Sequence, residues 1–190
     1  MKQALERIIS LPLLPLAAAY ATGLVAFRTA SQLLAFIPGK LGVVWRRAWY
    51  RRTLRACGNK LVVEWMSAFK SPQASVGDRV YVGPFCWVGW AHLGDDVMLA
   101  SHVSILSGKA QHGTNRIDVP MRQQEGVMTE IHIGSDVWIG DTVVVMADIA
   151  KGTIVGGGSV VMRRVEDYSI LAGNPARTIS HRGPERHISP

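Results

Sequence analysis

Six histidines, two cysteines and fourteen acidic residues are the groups in this 190-residue chain able to move protons, attack carbonyls or hold metals. His112 stands apart because of its surroundings. It follows Ser107-Gly108-Lys109-Ala110-Gln111 inside a segment rich in Gly, Gln, Asn, Asp and Pro that runs from Ser107 to Glu130. An imidazole with an ordinary pKa near 6.5 takes a proton around pH 7, which makes His112 a candidate general base. A carboxylate often orients such a base, and Asp118 and Glu125 are the local candidates. Cys57 and Cys86 form no C-x-x-C pair and no disulfide framework, so they read as free thiols buried in a core and fit a reducing compartment.

The elements that would position His112 are legible on both sides of its segment. From Val76 the chain reads in sixes: Val76-Gly77-Asp78, Val82-Gly83-Pro84, Val88-Gly89-Trp90, Leu93-Gly94-Asp95 and Leu99-Ala100-Ser101. The pattern returns at Ile133-Gly134-Ser135, Ile139-Gly140-Asp141 and Val145-Met146-Ala147, and after a slip Ile149, Val155 and Val161 carry it on. Each unit has an aliphatic residue, then Gly or a small residue, then a second apolar residue four places after the first. A hexapeptide period is the signature of a parallel β-helix, in which the aliphatic residues stack inward and Gly serves the corners. A β-sandwich explains alternation but not aliphatic-Gly pairs every six residues. A loop of two dozen residues inside so tight a repeat suggests a functional element.

The repeat, with Ile139-Gly140-Asp141, Gly156-Gly157-Gly158-Ser159-Val160-Val161 and the closing Leu171-Ala172-Gly173-Asn174-Pro175-Ala176-Arg177, resembles the hexapeptide-repeat acyltransferases, the left-handed parallel β-helix transferases. It is particularly similar to bacterial enzymes that O-acetylate sugars of surface polysaccharides. The resemblance covers about Val76 to Ile179. It implies left-handed coils, a homotrimer, and acetyl-CoA as cosubstrate with no metal. It also implies a catalytic histidine on the extruded loop, here His112. The donor would lie between subunits, at positions matching Trp138, Ala147, Gly157, Arg163 and Arg177, with Arg164 a further cation for its phosphates. A thioester is a good electrophile, so a base and an oxyanion donor suffice and neither cysteine is needed as nucleophile. Similar enzymes place an acidic residue a few positions after the histidine, where this chain has Asn115, which leaves the orienting partner open.

The first 60 residues differ in character. They carry ten Lys or Arg against one Glu, whereas the remainder is mildly acidic. No nucleic-acid motif accompanies the charge, so a nucleic-acid partner is set aside. Ile8 to Phe27 contains no charged residue, and beyond it Trp45, Arg46, Arg47, Trp49, Tyr50, Arg51, Arg52 and Arg55 interleave. Residues 8–55 therefore predict an arm that meets an anionic membrane surface, as a span, a re-entrant hairpin or an in-plane anchor. A hydrophobic helical arm packed on the protein's own body or on a neighbouring subunit is the alternative. Ala19-Tyr20-Ala21 resembles a signal-peptidase site, but the dense positive charge that follows opposes export. Ser31-Gln32-Leu33-Leu34, Ile37-Pro38-Gly39 and Arg46-Arg47 also look like the arm of a membrane-linked branch of the family.

The expected organisation is an arm over 1–60, a β-helix acyltransferase domain over 61–179 with its loop at 107–130, and a tail over 180–190. The expected function is acetyl transfer from acetyl-CoA to a sugar hydroxyl of a polysaccharide or glycolipid precursor at the cytoplasmic face of a membrane. Serine, an antibiotic or a nucleotide-linked amino sugar is an alternative acceptor. The fold also hosts zinc enzymes of the γ-carbonic anhydrase type, and His92, His102, His112 and His132 invite that reading, although no two histidines here are five apart as in those enzymes. A non-catalytic scaffold is the remaining reading.

Overall fold

The hexads wind into three parallel sheets that form the sides of a prism. The structure is a computed structural model and describes residues 6 and 8–183. Side A stacks Ala56–Cys57, Ser75–Val76, Ala91–Leu93 and Ile131–Ile133, with a further bridge from Ile133 to Ile149. Side B stacks Val62–Val63, Tyr81–Val82, Met98–Leu99, Trp138–Ile139, Ile154–Val155 and Ser169–Ala172. Side C stacks Ala68–Phe69, Trp87–Val88, Ser104–Ile105, Val144–Val145 and Val160–Val161. The second residue of nearly every two-residue strand points inward. Val63, Val82, Leu99, Ile139, Val155 and Leu171 thus form one buried column on side B. The second apolar residue of each hexad, such as Val80, Cys86, Val97, Val103, Val137 and Val143, is fully buried just before the next strand.

The corner glycines are required by approach rather than by dihedral angle. A Cβ on Gly83 would lie 2.6 Å from the Ala100 carbonyl oxygen of the next coil, and one on Gly140 would lie 2.7 Å from the Gly157 amide. The left-handed conformation falls two residues later, on Arg79, Phe85, Asp96, Asp136 and Thr142. The glycine thus serves the corner by sparing a Cβ clash, and the unusual backbone angles belong to the residue two places on. The Asp that follows several of these glycines has a role of its own. Asp78 Oδ1 accepts the Asn59 amide at 2.6 Å, Asp95 Oδ1 the Asp78 amide at 2.7 Å, and Asp141 Oδ1 the Ser101 amide at 2.7 Å. Each satisfies a corner N–H that strand pairing leaves open.

The solenoid begins one coil earlier than the legible repeat, at Ala56 rather than Val76, and ahead of residue 61. That coil hides because Glu64 replaces the corner glycine, Ser67 fills a core position, and Lys70 to Ala74 make a longer corner. At the other end Arg177–His181 folds back antiparallel on Ser169–Ala172, so Ser180 and His181 belong to a strand. The rest of the expected tail, from residue 184, lies outside the described residues, as do residues 1–5 and 7.

The arm folds onto the first coil. After a 3-10 turn at Leu11–Leu13, three helices follow: α1 Leu14–Ala21, α2 Phe27–Ala35 and α3 Gly39–Thr53. The apolar run from Ile8 is thus broken at Pro12 and again at Thr22-Gly23, and among the described residues no helix is long and apolar enough to cross a membrane. The Arg/Trp interleaving of α3 does not form one exposed surface. Arg46, Trp49 and Tyr50 are fully buried. The Tyr50 ring stands edge-on to Phe69 at 4.8 Å, its hydroxyl accepts the Phe69 amide at 3.2 Å, and burial pushes its pKa up to about 12. Trp49 Nε1 donates to Ser31 Oγ at 3.1 Å, and its ring packs on Phe27 and Tyr20. These contacts close the open end of the hydrophobic column.

Arg46 joins the arm to the coil. Its Nε donates to the Val63 carbonyl at 2.8 Å, and Nη1 donates to the Leu34 and Ile37 carbonyls at 2.9 and 2.7 Å. Hydrogen bonds from a charged donor contribute roughly 1.5–3 kcal/mol. Arg46→Ala is therefore expected to lower unfolding stability by about 2–4 kcal/mol in urea melts. Arg46→Lys should recover less than half of that, because an ammonium cannot reproduce the planar fork that meets three carbonyls.

Candidate functional site

The loop that carries His112 leaves side C after Ser104–Ile105 and returns at Ile131–Ile133 on side A. It is built as a hairpin. Thr129 donates its amide to the Ser107 carbonyl at 3.0 Å and Val127 to the Ala110 carbonyl at 2.6 Å. Gly126 is held so close to the opposite arm that a Cβ would lie 2.6 Å from the His112 amide. At its base Ser107 Oγ accepts the Trp90 amide at 2.9 Å, which fastens the loop to the preceding coil. Gln111 Nε2 donates to the Gly108 carbonyl at 3.1 Å. At its tip the Gln124 side chain accepts the Arg116 amide and donates to the Arg116 and Val119 carbonyls at 2.7 and 3.0 Å.

This frame leaves the His112 side chain at the surface, where its ring makes no hydrogen bond among the described residues. Asp118 is turned to Arg116, with Nε to Oδ1 at 3.0 Å and a second contact between Nη2 and Oδ2. The guanidinium holds the Asp118 carboxyl below its usual range. Glu125 is exposed, and neither carboxylate touches His112 within this chain.

The positions that the family resemblance implies for the donor fall into two groups. Trp138, half exposed, stands on side B between Met98 and Ile154, and Arg177 opens the edge strand of that side. Gly157 sits at the corner leading into side C, while Ala147 and Arg163 follow the side C strands Val144–Val145 and Val160–Val161. Arg163 and Arg164 are exposed. One chain therefore offers two half-surfaces, on side B and around side C, and not one closed pocket.

The histidines disperse. His102 stacks on Phe85 at 4.8 Å, whereas His92 and His132 are lateral neighbours on side A, 5.8 Å apart. Among the described residues no group of three His, Cys, Asp or Glu could hold a metal ion. Side A also brings together residues that no sequence pattern links. Arg55 Nη2 donates to Ser75 Oγ at 2.9 Å, Ser75 Oγ bonds His92 Nδ1 at 2.8 Å, and Arg55 pairs with Glu130 at the end of the loop. Only the register of parallel strands from different coils makes these neighbours, so no local pattern announces them.

Three parallel sheets wound from hexapeptide units define the class of the molecule as a parallel β-solenoid. No protein-family model matches the chain. A probable macrolide acetyltransferase of Lysinibacillus sphaericus is 30% identical over 129 residues, covering 60% of this chain and 66% of that protein. The chain spans under two thirds of the length of the curated relatives it matches first. Among solved structures, a hexapeptide-repeat acetyltransferase of Vibrio cholerae in complex with acetyl-CoA aligns with a TM-score of 0.66 at 23% identity, over 86% of this chain and 91% of that one. A maltose O-acetyltransferase of Clostridium difficile aligns with a TM-score of 0.65 at 20% identity, over 87% and 91%. At such identities the structures speak for the fold. The curated relatives it matches are acetyltransferases, and the solved structures share the solenoid fold of this chain.

Burial makes both cysteines poor nucleophiles. Burial pushes the Cys57 and Cys86 thiols up to about 11. Raised pKa values keep them protonated below that range, with only about one molecule in a thousand as thiolate at pH 8. Iodoacetamide at pH 8 should therefore modify native protein at least about 100-fold more slowly than urea-unfolded protein, as followed by mass spectrometry.

Proposed function

We propose that the protein transfers an acetyl group from acetyl-CoA to a hydroxyl of a sugar in a surface-polysaccharide or glycolipid precursor, with His112 as general base. The observation that carries this reading is an exposed imidazole, without a hydrogen-bond partner among the described residues, on a braced hairpin in a solenoid whose relatives are acetyltransferases. The curated relatives named for macrolide and chloramphenicol acetylation favour hydroxyl-bearing acceptors.

His112 would take the proton of the acceptor hydroxyl as its oxygen attacks the thioester carbonyl. The tetrahedral oxyanion would accept a hydrogen bond from a backbone amide, the C–S bond would break, and the imidazolium would return the proton to the departing CoA sulfur. Because Asp118 is engaged by Arg116, Glu125, a carbonyl or a group of a second protomer is left to orient the imidazole. The split of Trp138 and Arg177 from Gly157, Ala147 and Arg163 supports a donor groove between protomers, hence a homotrimer with left-handed coils as the family resemblance implies. Its two arginines would face the phosphates of the nucleotide end. Residues 8–55, basic and flanked by the exposed Ile8, Leu11, Leu14 and Leu24, would hold the trimer to the cytoplasmic face of a membrane.

The reaction is tested by following release of CoA thiol from acetyl-CoA in the presence of a cell-envelope glycolipid extract. The wild type should release thiol only with acceptor present. His112→Ala should lose about 10²- to 10⁴-fold in rate with an unchanged melting temperature. Equal release by the two proteins would refute the role of His112. A wild type that neither binds acetyl-CoA nor releases thiol would favour the scaffold reading.

A further inference from the structure

An apolar surface that acetyl transfer leaves unexplained lies where α2 meets the second coil. Leu33 and Phe36, with Thr29, Gln32, Met66 and Trp87, line a groove of about 400 Å³. The helix buries Phe27, Ala30 and Leu34 against the body, yet Leu33 is 55% and Phe36 64% exposed on its outer flank. Two cations stand over the Trp87 ring that forms one wall. Arg28 Cζ lies 5.5 Å and Lys70 Nζ 5.8 Å from its centroid. Beside the groove, exposed Trp65 and Phe85 meet edge to face at 5.4 Å.

The groove is continuous with the face assigned to the donor. Trp87 pairs laterally with Ser104, Ser104 with Val144 and Val144 with Val160. The outward row of side C thus runs from the groove to the coil flanked by Gly157 and Arg163, three strand spacings or about 14 Å away. A slot of this volume suits a small ligand, whereas a docked protein needs several hundred Å² of interface. An apolar floor with cations at its wall matches an amphiphile whose chain ends in a phosphate. A free sugar would use neither feature.

We propose that this groove receives the hydrocarbon chain of a phosphate-linked glycolipid acceptor. Arg28 and Lys70 meet the phosphate, and the sugar is directed along side C toward the fifth coil. The assignment of this lipid as the acceptor rests on the acetyl-transfer reading; the binding does not, so the two can fail separately.

The probe is dodecyl phosphate below its micelle concentration, titrated calorimetrically into the full chain. Each buried methylene multiplies affinity by roughly four, so butyl phosphate should bind at least about 100-fold more weakly. Leu33→Ser with Phe36→Ser, both at exposed positions, should weaken dodecyl phosphate about tenfold or more. Arg28→Gln with Lys70→Gln should weaken it about tenfold and leave dodecanol unaffected. His112→Ala should bind like the wild type. Equal binding by the Leu33/Phe36 variant, or butyl phosphate binding as tightly as dodecyl phosphate, would overturn the proposal. So would a fall in oligomeric mass of the Phe36→Ser variant by light scattering, since a second copy would then be what covers the groove. A chain that binds dodecyl phosphate through these residues but releases no CoA with any acceptor would leave the groove standing and sink acetyl transfer.

Discussion

Successive coils of the solenoid lie about 4.8 Å apart, and every other feature of the molecule accommodates that separation. At this distance the corner after each inward aliphatic residue touches the corner of the next coil. Gly83 and Gly140 occur there because a side chain would meet backbone atoms at 2.6 and 2.7 Å. The same closeness brings inward residues of equal register into one column, so that Val63, Val82, Leu99, Ile139 and Val155 shield one another from water. It also lets the carboxylates of Asp78, Asp95 and Asp141 reach the open amides of the coil before.

A stack of this kind has open ends, and the protein closes them differently. At the start, α2 and α3 lay Phe27, Trp49 and Tyr50 over the first coil, and the buried Arg46 satisfies three carbonyls at the joint. Much of the arm's apolar and aromatic content is spent on this cap. The arm's apolar surface left exposed lies at Ile8, Leu11, Leu14, Leu24, Leu33, Phe36 and Leu41. At the far end Arg177–His181 reverses direction and covers the last strand of side B.

Coil spacing also decides where variation is tolerated. Along sides B and C the inward residues keep a strict step of six, from Val82 to Val88, Leu99 to Ile105 and Ile139 to Val145. Between sides C and A the step changes from coil to coil, and the long loop leaves at that corner, between Ile105 and Ile133. An insertion at this corner costs no strand pairing, because the next side A strand pairs in register wherever the chain returns. The His112 imidazole is therefore held away from the stack on a hairpin fastened at Ser107 and Thr129.

The repeat from Val76 onward, the break at Ser107 and the position of His112 were legible by themselves, because stacking demands the same residue types every six positions and an interruption shows against that period. The first coil was not, since Glu64 and Ser67 break the pattern while neighbouring helices supply the missing burial. Only the tertiary structure decided that Arg46, Trp49 and Tyr50 face inward, that Asp118 is taken by Arg116, and that Trp138 stands on side B while Ala147 follows side C. It alone brought Arg55, Ser75, His92 and Glu130 together. Local pattern records the period of a coil, but which coils become neighbours, and which face a helix turns to them, depends on contacts between residues far apart in the chain.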